Sequence, residues 1–73
     1  MGEARLSILD HLTPKQAQVL QGVADGKDRK QIAQELWISL ETVKSHLKEV
    51  RYRLDANTTT QAVAIALRRQ LIA

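Results

Sequence analysis

The sequence predicts an all-α fold, a compact four-helix domain that contains a helix-turn-helix. The 73 residues show no sustained alternation of polar and apolar side chains and include no phenylalanine, so signals for β-strands are almost absent. Four stretches instead begin with a residue that can cap a helix, and apolar residues then recur every three or four positions. The predicted helices lie at about 14–25, 29–36, 40–54 and 59–72.

The first helix starts within the segment that runs from Thr13 to Gln16. Thr13 can cap it, Pro14 suits the first helical position because its ring holds φ at a helical value, and Gln16 can complete a capping box. Gly26 is placed to end this helix. Gly22 lies inside it, where a glycine costs roughly 1 kcal/mol relative to alanine.

The second helix is short, with Asp28 as its cap, and a turn at Trp37 and Ile38 joins it to the third helix. We expect the indole of Trp37 to be half-buried in this turn, and contact with a phosphate or a partner protein is the less favoured alternative. Ser39 caps the third helix, and Glu41 lies in its first turn, where a carboxylate interacts favourably with the helix dipole.

The fourth helix begins after Thr58 and is apolar on two faces. A terminal helix needs one apolar face to pack within a monomer, so the second face indicates a partner helix, unless the helix end frays or residues 6–12 fold over it. The inward face comprises Ala62, Val63, Ala66 and Leu67. The predicted dimer interface comprises Ala64, Ile65, Arg68, Leu71 and Ile72.

Composition narrows the class of protein. Eleven lysines and arginines against eight acidic residues give a net charge of +3, a mild excess whose distribution matters more than its size. The chain has no cysteine and only two histidines, so we expect no metal site and no cofactor. The sequence pattern also places no nucleophile beside a base, so we do not expect an enzyme. No apolar run reaches the roughly 18 residues of a membrane span. Residues 1–11 are predicted to be a tail or the stub of a linker, and 12–73 the domain.

The third helix has an apolar side and a basic side. When the residues are placed around the helix axis at about 100° per residue, the apolar residues form a core stripe on one side. Lys44, Lys48 and Arg51 lie together on the outer side. Basic side chains in the first two turns of such a helix can reach base edges in the DNA major groove, so Lys44, Ser45 and Lys48 are predicted to contact bases. Arg51, further along, is predicted to contact the DNA backbone. The core stripe comprises Val43, Leu47, Val50 and Leu54. A basic face can also be mere solvated surface, but the short helix and tight turn that precede it favour DNA.

Further backbone contacts are predicted at two helix starts. Arg29 and Lys30 open the second helix, where free N–H groups favour phosphate and basic side chains add to that attraction. Ser39 and Thr42 can act in the same way at the start of the third helix. For Arg29 and Lys30, ordinary surface charge is an equally good interpretation of the sequence alone.

Together these segments resemble the LuxR-type (GerE-like) helix-turn-helix domain of bacterial transcription regulators. The resemblance covers about residues 12–69. The matching segments are LTPKQAQVL at 12–20, Ala24–Gly26, KQIAQEL at 30–36, ISLETVKSHLKEV at 38–50, and Arg53–Leu54.

The resemblance implies that the third helix enters the major groove and that the fourth forms a symmetric dimer. It places Lys44, Ser45 and Lys48 at base-reading positions and Lys30 and Thr42 at backbone contacts. It further implies sequence-specific binding of double-stranded DNA by a homodimer on a roughly palindromic site, in the bacterial cytoplasm at the nucleoid. RNA polymerase is a candidate partner, and an upstream receiver or ligand-sensing domain a candidate neighbour.

The sequence departs from the family pattern in three places. Gln16 and Gln18 stand in a segment where the family usually carries glutamate, so any salt bridge made there is lost. Gly22 replaces a usual aliphatic residue, which implies a looser first helix, and Asp55 stands where glycine often ends the third helix. An alternative function also remains open at this stage, because two apolar faces on one helix suit a protein-interaction module. Such a module would pair with, or sequester, a related regulator.

Overall fold

A computed structural model describes residues 11–73, and this part of the chain contains four α-helices. They are α1 (Pro14–Ala24), α2 (Arg29–Leu36), α3 (Leu40–Arg53) and α4 (Thr59–Arg68). The predicted all-α class is therefore confirmed. The tail predicted at residues 1–11 lies outside the described residues except for His11, and the boundary between tail and domain remains a prediction.

All four predicted helix starts are confirmed, because each predicted cap makes its hydrogen bond. The side-chain oxygens of Thr13, Asp28, Ser39 and Thr58 each accept from the backbone N–H three residues further along. At α1 the capping box is complete, since the Gln16 side chain also accepts from the Thr13 N–H at 3.1 Å. Capping is a local interaction, which explains why the sequence predicted these positions well.

Each helix ends in the same way, with a residue of positive φ shortly after the last helical turn. These residues are Gly26 (φ 88°), Trp37 (φ 58°), Asp55 (φ 55°) and Gln70 (φ 60°). Backbone N–H groups after each helix then donate to carbonyls of its last turn, as in a Schellman motif. Glycine occupies only the first of the four positions, so the other three ends carry little sequence signal.

The fourth helix is shorter than predicted. It ends at Arg68 instead of residue 72, and the chain then turns back across the domain. Ile72 is 8% exposed and belongs to the core, and Leu71 is half-buried against it. The Gln21 side chain holds this return by donating to the Ala73 carbonyl at 2.7 Å and accepting from its N–H at 2.8 Å. The predicted placement of Leu71 and Ile72 on an exposed helical face is therefore wrong.

The core is aliphatic and is built around α3, which packs against each of the other three helices. Its predicted core stripe is confirmed, with every member at most 3% exposed. The predicted inward face of α4 is wrong at Leu67, which is 45% exposed. In α1, Val19 is fully buried. The other buried apolar residues are Leu20, Ile32, Ala33, Ala62, Ala66 and Ile72.

Gly22 lies where α1 and α2 come close together. A Cβ atom built at this position would lie 2.8 Å from Cγ1 and 3.0 Å from Cδ1 of Ile32, which is 2% exposed. A contact at that distance is too short for two carbon atoms, so the absence of a side chain is what permits this packing. Here the glycine allows close contact between α1 and α2, and the looser first helix implied by the resemblance stays a prediction.

Asp55 provides a first test of these helix ends. Replacing Asp55 with glycine is expected to stabilise the domain by about 0.5–1 kcal/mol, because glycine adopts a positive φ freely and removes a negative charge next to the carbonyl end of α3. Asp55→Asn separates the two causes, since it removes the charge and keeps a side chain. Thermal unfolding of the three proteins measures both contributions. A lower melting temperature for Asp55→Gly would contradict the positive φ.

Candidate nucleic-acid interface

The outer face of α3 carries the three predicted base-contacting residues. Lys44, Ser45 and Lys48 are all exposed, while the core stripe on the opposite side of the helix is buried. Because that stripe holds α3 in one rotational orientation, the outer face has a defined direction. The three side chains are therefore presented to solvent on a rigid element at the centre of the domain.

The structure divides the three side chains between two neighbouring surfaces. Lys44 lines a cleft with Arg29 of α2 and Arg51 of α3, and Leu47 and Thr59 complete the lining. Ser45 and Lys48 line a separate shallow depression, with Glu49 and Tyr52. The predicted base contacts thus run along α3 and do not form a single cluster.

The cleft that Lys44 lines is suited to an anion. Its lining contains three cationic side chains, those of Arg29, Lys44 and Arg51, and no carboxylate. The Nε atom of Arg51 is buried and has no hydrogen-bond partner among the described residues. Like charges held together without a counter-ion are destabilising, and a phosphate would relieve that repulsion. We call these three residues the basic cleft.

The start of α2 is less open to phosphate than its sequence suggests. The Asp28 carboxylate accepts from the Gln31 N–H at 2.7 Å, so a negative group already occupies this helix end. Lys30 is exposed next to it and Arg29 lies in the basic cleft. Any attraction for phosphate here therefore comes from the basic side chains more than from free N–H groups.

Ser39 and Thr42 lie together at the start of α3. The Ser39 hydroxyl accepts from the Thr42 N–H at 3.0 Å, and the two side-chain oxygens are 2.8 Å apart. One hydroxyl donates to the other, so the acceptor keeps its own hydrogen for an external group. The geometry orders two hydroxyls at the start of α3, just before the three predicted base-contacting residues. We call Lys44, Ser45 and Lys48 the reading face.

Two exposed aromatic residues lie beside α3, and neither is among the predicted DNA contacts. Trp37 is 92% exposed and Tyr52 is 82% exposed, so the expectation of a half-buried Trp37 is wrong. Trp37 adopts a positive φ of 58° at the turn between α2 and α3. The sequence offered one signal for this turn. No glycine stands between α2 and α3, so another residue must adopt the left-handed conformation that ends α2.

Lys27 has an acidic partner, as Arg53 has in Glu49. Its Nζ atom lies 2.6 Å from Oε1 of Glu35, and this hydrogen bond raises the pKa of Lys27 above its ordinary value. A raised lysine pKa means that the pair contributes at neutral pH and is lost only as alkaline pH removes the proton. The positive charge of Lys27 is thus largely balanced within the chain.

The exposed side of α4 differs from the predicted dimer interface. Ala64, Arg68 and Leu67 are exposed, whereas Ile65 is half-buried against the core. Ala64 lies between Leu67 and Arg68 on one face, since residues three and four apart are neighbours on a helix. We call this set of three residues the α4 face.

Two other kinds of site receive no support from residues 11–73. No helix in this range is both long enough and apolar enough to cross a membrane. In the same range, no three residues of the metal-binding types histidine, cysteine, aspartate and glutamate come together as a metal site.

The sequence pattern of a family described as "Bacterial regulatory proteins, luxR family" matches residues 10–66. The chain belongs to this family. The resemblance in its segments is thereby confirmed, and the LuxR-family domain is a DNA-binding helix-turn-helix used in transcription regulation. The family is one of bacterial regulatory proteins.

Several curated relatives of this LuxR-family chain are transcription regulators by name. It is 36% identical over 63 residues to the transcriptional regulatory protein LiaR of Bacillus subtilis, covering 86% of this chain and 30% of that protein. It is 41% identical over 61 residues to YdfI of the same organism, another transcriptional regulatory protein, covering 84% and 29%. It is also 44% identical over 63 residues to RpaR of Rhodopseudomonas palustris, an HTH-type quorum sensing-dependent transcriptional regulator, covering 86% and 26%. The chain thus spans under a third of the length of these three relatives.

Proposed function

We propose that this domain binds double-stranded DNA sequence-specifically, with α3 in the major groove, and acts as a homodimer on a roughly palindromic site. The observation that carries the proposal is the outer face of α3. Lys44, Ser45 and Lys48 are exposed on a helix that the buried stripe on its other side holds in place. A fixed helix with donors on its outer face can present them to guanine O6 and N7 in a defined register.

Phosphate contacts are proposed on both sides of that helix. The basic cleft offers Arg29 and Arg51 to the DNA backbone, and Lys30, Ser39 and Thr42 extend the contact at the two helix starts. Such contacts supply most of the affinity and orient the reading face, but they carry no sequence information themselves.

Dimerisation is proposed through the α4 face. Leu67 is a large apolar side chain that is 45% exposed, and the small Ala64 beside it lets a second helix approach closely. In a two-fold dimer the same face meets itself, so each Leu67 would be covered by the partner's α4. The two copies of α3 would then reach half-sites about one helical turn apart, which requires a roughly palindromic site.

The wider protein is also a matter for proposal. Because the chain spans under a third of LiaR, YdfI and RpaR, we propose that it works together with a receiver or ligand-sensing domain. A regulator of this kind acts at the nucleoid in the bacterial cytoplasm and is a candidate to contact RNA polymerase.

Selection of bound sites from random duplex DNA tests the central proposal. We expect an enriched site with two-fold symmetry, bound with an affinity that falls steeply with salt. A dimer that neutralises about six phosphates predicts a slope of about −5 for log K against log salt. No enriched sequence and a flat salt dependence would refute DNA binding. Tight association with a related regulator under those conditions would favour the interaction module.

A substitution in the α4 face tests the dimer. Leu67→Glu is expected to abolish dimers, because two carboxylates would face each other across the two-fold axis. Affinity for the selected palindrome should then fall by at least about tenfold, since the second half-site is no longer bound by a linked copy. Analytical ultracentrifugation with and without the palindrome measures the oligomeric state.

The matched control is Gln18→Glu, which adds the same negative charge at an exposed position of α1. It should leave both the dimer and the DNA affinity nearly unchanged. If Leu67→Glu dimerises as well as the parent protein, the interface lies elsewhere.

A further inference from the structure

The distribution of aromatic residues in this domain is the reverse of the usual one. The chain contains one tryptophan, one tyrosine and no phenylalanine, and its buried core is entirely aliphatic. Trp37 is 92% exposed and Tyr52 is 82% exposed. Large aromatic side chains normally supply much of a core's buried area, so exposing both needs an explanation outside the core.

Local structure does not explain Trp37. Its φ of 58° is a left-handed conformation that disfavours a bulky side chain and that glycine or asparagine would adopt more easily. The indole recovers no packing in return, because it lies almost completely in solvent. A residue that suits neither its backbone conformation nor the core is a candidate for contact with another molecule.

The two residues lie at opposite ends of α3. Trp37 precedes Ser39, the cap of α3, and Tyr52 lies in its last turn. A rise of about 1.5 Å per residue places Tyr52 about 18 Å along the axis from Leu40, the first helical residue. The major groove is about 12 Å wide, so a helix of this length that lies across it extends to the backbones on both sides.

The residues of the proposed reading face lie between the two aromatic residues in the sequence. Lys44, Ser45 and Lys48 lie between them on α3, and Tyr52 lines the same depression as Ser45 and Lys48. Both aromatic side chains have an apolar body and one polar hydrogen, which suits a surface where deoxyribose alternates with phosphate.

We propose that Trp37 and Tyr52 are positioning residues that pack on the sugar–phosphate backbones at the two sides of the major groove. Each ring covers a deoxyribose, and the indole N–H and the phenol O–H donate to phosphate oxygens. This inference rests on the proposed DNA-binding function. It adds two uncharged contacts that set how far α3 slides and tilts in the groove.

The test uses the 73-residue chain with two duplexes of about 30 base pairs, enough for two half-sites one turn apart. One duplex carries the selected site and the other a shuffled sequence. Trp37→Asn and Tyr52→Gln are each expected to lower affinity for both duplexes by the same factor, roughly 5- to 30-fold. The slope of log K against log salt should not change, because no cation is lost. Trp37→Phe and Tyr52→Phe should retain most of the affinity.

Folding is controlled by the same choice of variants. Asparagine accepts the left-handed conformation more readily than tryptophan, so Trp37→Asn should melt at the same temperature as the parent protein or higher. Weaker DNA binding by a protein that is at least as stable cannot come from a damaged fold. The parent protein gives a second readout without any substitution, because Trp37 is its sole source of tryptophan fluorescence. Saturating DNA should protect that fluorescence from quenching by acrylamide.

Unchanged affinity in both variants, or unchanged quenching of Trp37 on saturating DNA, would overturn the inference. A loss confined to the selected duplex would overturn it too, since that result indicates base contacts. If the parent protein binds DNA and Lys48→Ala weakens it while the aromatic variants do not, only this inference fails. If the parent protein binds neither duplex, the proposed function fails and the inference falls with it.

Discussion

Replacing both Lys44 and Lys48 with alanine is expected to weaken binding to the selected DNA site by roughly 100-fold or more. Each lysine that donates to a base edge contributes about 1–3 kcal/mol of discrimination, and every 1.4 kcal/mol is about tenfold in affinity. Both side chains are exposed on a helix whose opposite face is buried, so their removal should not disturb the core. Fluorescence anisotropy with the selected and the shuffled duplex measures the change and shows how much sequence preference is lost.

Lys15→Ala is the matched control for this pair. Lys15 is an exposed lysine on α1, and α1 packs on the inner side of α3, away from the reading face. Removing its charge should change affinity only slightly. If Lys15→Ala weakens binding as much as Lys48→Ala does, the DNA does not lie on the outer face of α3.

The single variants separate base contact from backbone contact. Lys48→Ala should weaken the selected duplex more than the shuffled one. Lys44 also lies in the basic cleft beside Arg29 and Arg51, so its role is the sharper question. A uniform loss on both duplexes, with the salt slope reduced by about 0.9, would reassign Lys44 from the bases to a phosphate.

Replacing Gly22 with alanine is expected to destabilise the domain by about 1–2 kcal/mol, although alanine is the better helix former. Helix propensity favours the change by up to about 1 kcal/mol, but overpacking a tight core typically costs about 1–3 kcal/mol. The new Cβ would lie 2.8 Å from Cγ1 of Ile32, a buried side chain with little room to move. For a domain of this size the melting temperature should fall by roughly 4–8 °C per kcal/mol.

A double-mutant cycle with Ile32→Val identifies the cause. Valine lacks the Cδ1 atom, which would lie 3.0 Å from the new Cβ, so Gly22→Ala should cost less in that background. Because valine keeps Cγ1, equal costs in both backgrounds would assign the strain to the 2.8 Å contact with Cγ1 and not to Cδ1. A rise in melting temperature for Gly22→Ala alone would contradict the close packing of α1 and α2.

The starts of the helices and the orientation of α3 were predictable, because both depend on neighbouring residues. A cap such as Ser39 bonds to the N–H three residues away, and an apolar repeat such as Val43, Leu47 and Val50 defines which side of a helix is buried. The exposed lysines of α3 follow from that stripe by geometry alone. The sequence therefore determined the fold class, the family and the direction of the reading face.

The tertiary structure decided what depends on residues distant in the chain. Helix α4 ends at Arg68 because Gln70 adopts a left-handed conformation and Ile72 packs in the core. No local sequence pattern predicts this end. The close contact between Gly22 and Ile32 and the meeting of Arg29 with Arg51 likewise join separate helices. Local hydrogen bonds and apolar periodicity depend on residues that are close in sequence, so the sequence alone predicts them. Packing distances and shared clefts depend on how separate helices pack together, so only the tertiary structure shows them.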